Sequence, residues 1–152
     1  MEGRISEDIV PFMQNNALTL PINIPPHVIA NFAIQSGLRS GDAESLSREL
    51  EKFLWLCANT SRRLAPSPAI DGIWHDFILH TRDYEAFCLQ NFGRFIHHVP
   101  QRGTNQGLRT CYLATIDALC QAFGTVNEVV WPHSETYLKE VCDSGCKSCN
   151  DD

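Results

Sequence analysis

The sequence predicts an all-α protein: a single compact orthogonal helical bundle of about five to six helices with a Cys-containing C-terminal tail. Three observations carry this. Apolar residues recur at helical spacing around residues 28–33, 46–57, 70–88 and 108–123. Glycine or proline stands at the ends of those stretches. No segment alternates apolar and polar residues over the length of a strand, and no G-x-G-x-x-G turn, phosphate-binding G-x-x-x-x-G-K loop or internal repeat is present, so nucleotide-binding α/β folds have no support.

A chain of 152 residues suits one domain, large enough to bury most of the surface its unfolded form exposes without a disulfide staple. Ile5, Ile9, Phe12 and Met13 suggest a short N-terminal helix that Pro11 confines. Residues 18–26 end in Pro25-Pro26, which forces extended backbone, and read as a connector over the core. Pro26 then opens a helix whose apolar face is Val28, Ile29, Phe32 and Ala33 and which ends at Gly37. Ser40-Gly-Asp42 offers N-cap oxygens to the next helix, whose stripe of Leu46, Leu50, Phe53, Leu54 and Cys57 reaches about Thr60.

Pro66 and Pro68 make a rigid turn, and a long helix is expected from Ser67 or Pro68 to Phe92, closed by Gly93. Its stripe is Ile70, Ile73, Trp74, Phe77, Ile78, Thr81, Tyr84 and Cys88. Arg94 to Thr104 is a loop carrying His97-His98. Leu108, Cys111, Tyr112, Thr115, Ile116, Leu119, Cys120 and Phe123 form a further amphipathic helix ending at Gly124. Val126 to Pro132 reads as extended, with a final turn from Ser134. The division is 1–137 for the helical domain and 138–152 for the Cys-rich tail.

A net charge of −6, from 18 acidic and 12 basic residues, disfavours a nucleic-acid partner. No apolar run reaches the length of a membrane span, and the first residues do not resemble a secretory signal, so no membrane association and a cytoplasmic location are expected. In that reducing setting seven cysteines are read as free thiols or metal ligands, with Cys57, Cys88, Cys111 and Cys120 as small buried hydrophobes.

Four of the six histidines, His75, His80, His97 and His98, fall in one block with Asp71, Asp76, Asp83, Tyr84 and Cys88. Neutral imidazole is a common ligand for transition metals, zinc above all, and an aspartate either binds the ion or orients a ring from behind. Asp71 and His75 lie one turn apart on one helix flank, with His97 or His98 supplied by the loop, one as ligand and the other as hydrogen-bonding partner. His75 and His80, five apart, diverge by about 140° on an unbroken helix and share no ion unless the helix breaks near Thr81. His27, beside two prolines, is expected to be exposed and uninvolved. Cys142, Cys146 and Cys149, loosened by Gly145, form a second soft-metal candidate, with His133 or His98 as a fourth ligand. The same cysteine spacing occurs in radical S-adenosylmethionine enzymes, but without a βα repeat it does not point to one.

The motifs Asp71-x-x-Trp-His75, Thr81-Arg-x-Tyr84-x-x-Phe-Cys88, Gly93-x-x-x-His97-His98-x-Pro100, Phe123-Gly124 and Trp131-Pro132 resemble the glycine-rich domain-containing protein-like family over roughly residues 70–132. The resemblance implies a helical domain built around an acidic-x-x-Trp-His motif. Relatives often carry a second histidine two places after the Trp-His, where this chain has Phe77, so His80 replaces that ligand only on a distorted helix.

Two functional classes stay open. In one, a His/Asp-centred site binds a transition metal, for a reaction the sequence does not name. In the other, Trp74, His75 and Tyr84 form a polar network that ties the loop down, and the protein is an interaction module for a protein partner that the sequence does not identify. Nucleophilic catalysis by Cys88 is disfavoured by its place on the apolar stripe, and Asp76, Asp83 and Glu85 are read as solvent-facing charges.

Overall fold

The computed structural model describes residues 22–99 and 105–144. Among them are six helices and no strand: α1 Pro26–Ser36, α2 Ser40–Asn59, α3 Pro68–Leu79, α4 Thr81–Phe92, α5 Asn105–Phe123 and α6 Glu135–Ser144. The all-α fold is the one the apolar spacing predicts. The short helix expected over residues 5–17 lies outside the described residues.

α2 is the centre of the bundle, packed against α1, α3 and α5, while α3 also meets α1 and α4, and α6 packs on α5. Leu50, Phe53, Leu54 and Leu56 of α2 are buried. Phe53 lies between two tryptophans, edge-on to Trp74 of α3 at 5.4 Å and tilted against Trp131 at 5.8 Å between ring centroids. Burying such rings contributes about 1.5–3 kcal/mol each, which makes this trio the anchor of the core. Residues 22–25 are neither helix nor strand, and Ile22 and Ile24 are buried in the core, as expected for a connector. Glu51 of α2 accepts the Ile24 N–H at 3.0 Å.

Helix ends follow local chemistry, with four differences from the expected pattern. α1 starts on Pro26 and ends at Gly37, whose φ of 66° is the left-handed cap. α2 is not capped by Ser40 or Asp42: Arg39 is its N-cap residue, and the Asp42 carboxylate takes the Arg39 Nε–H at 3.0 Å instead. α3 has the side-chain cap that its sequence suits, Ser67 Oγ accepting from Ile70 N at 3.3 Å ahead of Pro68.

The second difference is that the expected long helix is two, divided at His80, where ψ is 67°. No proline or glycine marks this break. It folds α4 back so that Tyr84 and Phe87 meet Phe77 edge-on at 5.1 and 5.2 Å. An unbroken helix over residues 68–92 would run about 37 Å and carry those rings away from the core, so packing overrides local helix preference. Thr81, expected on the stripe, is exposed as the first residue of α4.

Third, residues 126–132 are not extended. Asn127 Oδ1 accepts from Val129 N and Val130 N, and Trp131 N bonds to Asn127 O at 2.8 Å, making a tight turn that drives Trp131 into the core. The Trp131 indole N–H then bonds to Glu49 Oε2 at 2.9 Å. Fourth, the single turn expected after Ser134 is the ten-residue helix α6, which buries Leu138.

Candidate metal centre

Ser67 and Pro68 start α3 so that Asp71 and His75, one turn apart, share its exposed flank, while Ile70, Trp74 and Phe77 face the core. After α4, Gly93 adopts φ 69° and turns the chain back toward α3. The loop that follows is held at three points. Arg94 Nη2 donates to the carbonyls of Cys57 and Ala58, at 3.3 Å each, at the end of α2. Ile96 is buried. The Tyr84 hydroxyl donates to Ile96 O and accepts the Trp74 indole N–H at 3.0 Å. Burial pushes the Tyr84 pKa up, so the phenol remains a donor across the working pH range.

With the loop fixed, His98 is set onto α3. Its ring packs on Trp74 at 4.4 Å and edge-on to His75 at 4.3 Å, and its Nε2 lies 2.7 Å from Asp71 Oδ1. His75 Nε2 lies 3.5 Å from the same oxygen. Asp71, His75 and His98 thus place one ligand atom each within 4.8 Å of one another. His98 is the sheltered member, its side chain 16% exposed against 43% for Asp71 and 60% for His75.

Four zinc ligands at 2.0–2.1 Å in a tetrahedron stand about 3.3 Å apart. The observed separations of 2.7 and 3.5 Å from Asp71 Oδ1 bracket that value, so these residues could hold an ion. At 2.7 Å one of the facing atoms carries a proton, and metal binding must displace it.

The remaining sequence candidates lie elsewhere. His97 is exposed and packs on Phe95 at 4.7 Å, outside the group. His80, released by the helix break, turns to α1: its Nε2 is 3.3 Å from Asn31 Nδ2, and with His27 and Asp83 it forms a separate cluster. The break therefore does not bring His80 to His75. His27, expected to be uninvolved, is 62% exposed yet pairs with Asp83 at 2.8 Å. Glu85 is exposed, and Asp76 keeps one buried carboxylate oxygen with no hydrogen-bond partner among the described residues. Cys142 belongs to α6, while Cys146 and Cys149 lie outside the described residues. His133, named as a fourth ligand, lies with Nδ1 2.8 Å from Trp131 O and Nε2 3.3 Å from Glu128.

Cys88 is buried and burial raises its pKa, which removes the thiolate that nucleophilic catalysis needs. Burial likewise pushes Cys57 up to about 12. Cys120, expected to be buried, is exposed, since it falls off the α5 face that buries Ala118 and Leu119.

The group stands at the edge of a cavity of about 880 Å³ that sequence reasoning did not anticipate, because its wall combines α2, the 63–68 connector, α3, the 94–99 loop, α5 and α6. The lining is largely apolar, with Phe53, Leu64, Trp74, Phe95, Leu108 and Tyr112, and it includes Arg63, Arg94 and Arg109.

No curated protein and no solved structure matches the chain. A family model does match, and it corrects the resemblance drawn from short motifs. Those motifs all lie between residues 71 and 132, whereas the matched stretch also takes in α1 and α2 and is not that of the glycine-rich domain-containing proteins. The match runs over residues 20–127, and the chain belongs to the UCP032817-like family.

Proposed function

We propose that this protein binds a transition metal, zinc in first place, through Asp71, His75 and His98, and that the ion serves chemistry or binding on a small molecule held in the adjoining cavity. The observation that carries the reading is the convergence of three ligand atoms of the right type within 4.8 Å at the cavity edge. Three protein ligands leave a coordination position open, the arrangement used by catalytic rather than structural zinc. Trp74 and Tyr84 support it by fixing the loop without enlisting His75 or Asp71 in their hydrogen bonds. A soft-metal clip in the tail, through Cys142, Cys146 and Cys149, is proposed as a second, separate site. Four described cysteines are free, which fits a reducing cytoplasm, and among the described residues no helix is long and apolar enough to cross a membrane.

One observation favours the interaction-module class: the His98–Asp71 contact at 2.7 Å is already a complete hydrogen bond and closes the loop onto α3 without an ion. Elemental analysis and zinc titration of protein purified without a metal-affinity tag separate the two. One equivalent of zinc at the His/Asp site, lost in Asp71→Asn and in His75→Ala while Cys146→Ser/Cys149→Ser keeps it, is the expected result. A reconstituted protein in which none of these substitutions changes zinc binding overturns the proposal.

A further inference from the structure

We infer that the cavity beside Asp71, His75 and His98 takes an amphipathic organic anion: an apolar body with a carboxylate or phosphate head. The inference deepens the reading above by naming the ligand class of the same site.

Size comes first. About 880 Å³ falls within the range of clefts that enclose a drug-sized molecule rather than an inorganic ion alone. The lining then sets the body of the ligand. Aromatic and aliphatic groups from α2, the connector, α3, the 94–99 loop and α5, among them Phe53, Leu64, Trp74, Phe95, Leu108 and Tyr112, give it an apolar interior that a sugar or a free amino acid would not fill favourably.

Charge sets the head. The chain as a whole is acidic, 18 carboxylate residues against 12 basic ones, yet this cavity reverses the balance, with three guanidiniums and the single carboxylate of Asp71. Among the described residues Arg63, Arg94 and Arg109 form no ion pair within the protein, although acidic groups hold Arg39 and Arg62 elsewhere. Arg94 is also pre-oriented, because its Nη2 is bound to the Cys57 and Ala58 carbonyls while other N–H groups of its fork remain for a ligand. A guanidinium beside an apolar wall is suited to bidentate capture of carboxylate or phosphate, and an ion held by the His/Asp group adds positive charge at the same edge. Cationic and neutral amphipaths gain nothing from this arrangement.

The test is calorimetric titration of the full-length, zinc-loaded protein with four probes that share one chain: octanoate, octyl phosphate, octanol and octylamine. Octanoate or octyl phosphate should bind at least about tenfold more tightly than octanol, with octylamine weakest, and the anion affinity should fall as salt is raised. The two anions together show which head is preferred. Arg63→Gln and Arg109→Gln should each weaken the anions several-fold and leave octanol unchanged. Zinc stoichiometry is measured on the same samples, so the two readings can fail separately. Equal affinity for octanol and octanoate, preference for octylamine, or no binding of any probe overturns the anion inference even if zinc binds. Octanoate binding that survives in protein without zinc affinity overturns the metal reading and keeps this one.

Discussion

Tyr84→Phe isolates the device that builds the site. The substitution removes one oxygen and leaves the ring, which keeps its edge contacts with Phe77 and Phe95 at 5.1 Å each, so no cavity opens. What is lost is the partner of two buried groups, the Trp74 indole N–H and the Ile96 carbonyl. Leaving a buried polar group unpaired costs about 1–3 kcal/mol, and two of them together about 2–4 kcal/mol with partial relaxation. For a chain of this length that corresponds to a loss of roughly 6–13 °C in Tm. The loop carrying His98 also loses its bond to the core, so zinc affinity should drop although no ligand has been touched. Thermal unfolding followed by circular dichroism, together with zinc titration of the folded variant at low temperature, provides both readouts. A control is Tyr112→Phe, which among the described residues loses one hydroxyl bond, to Pro132 O at the edge of the core, and should cost about 0.5–1.5 kcal/mol. If Tyr84→Phe melts with the parent and binds zinc equally well, the claim that this hydroxyl positions the loop is refuted.

Thr115→Val should cost about 1–3 kcal/mol in urea unfolding, because Thr115 Oγ1 is the buried acceptor of the Ala65 N–H at 2.9 Å and the isosteric valine offers no replacement; a change within error would show that the connector wall needs no such tie. Gly93→Ala should destabilise by about 1–2 kcal/mol purely through its φ of 69°, since an added Cβ meets nothing within 4 Å, and Gly93→Asn should recover part of that in the same melt. Glu51 gives a pH prediction. Burial raises its folded pKa above the ordinary 4.5, opposed by the Ile24 N–H and Arg48, so between the unfolded and folded values the native state holds more protons. Its effect on stability is therefore most favourable below 4.5 and declines as pH rises through the folded value. Glu51→Gln, which keeps an acceptor for Ile24, should flatten that decline and match or exceed the parent at pH 7, whereas a variant less stable than the parent at pH 7 would show that the carboxylate's charge helps there.

The helices were legible because burial here follows helical periodicity almost residue by residue: Val28, Phe32 and Ala33, then Leu50, Phe53 and Leu54, then Ile70, Ile73, Trp74 and Phe77. The break at His80 was not, and the reason is geometric. Phe77 and Tyr84 are seven apart, so they fall on one face whether the helix runs straight or folds back, and the apolar phase carries no mark of the turn. The extended reading of residues 126–132 failed for a related reason. Its apolar Val129 and Val130 carry no mark of a turn, whereas the Asn127 side chain captures two backbone N–H groups and closes a turn around them.

The candidate site divides along the same line. Asp71 and His75 could be paired from spacing because both sit on one unbroken helix, and the glycine at 93 made a returning loop predictable. Which of two adjacent histidines would reach them could not be read, since that depends on Ile96 turning inward and on the Tyr84 hydroxyl holding its carbonyl. Once Ile96 points into the core, side chains alternate along the extended residues after it: His97 goes out to Phe95, and His98 returns to Trp74 and Asp71. The single buried isoleucine thus assigns the two histidines their different places. The convergence of the arginines could not be read either, because Arg63, Arg94 and Arg109 are far apart in sequence and meet where the connector, that loop and α5 close around one cavity.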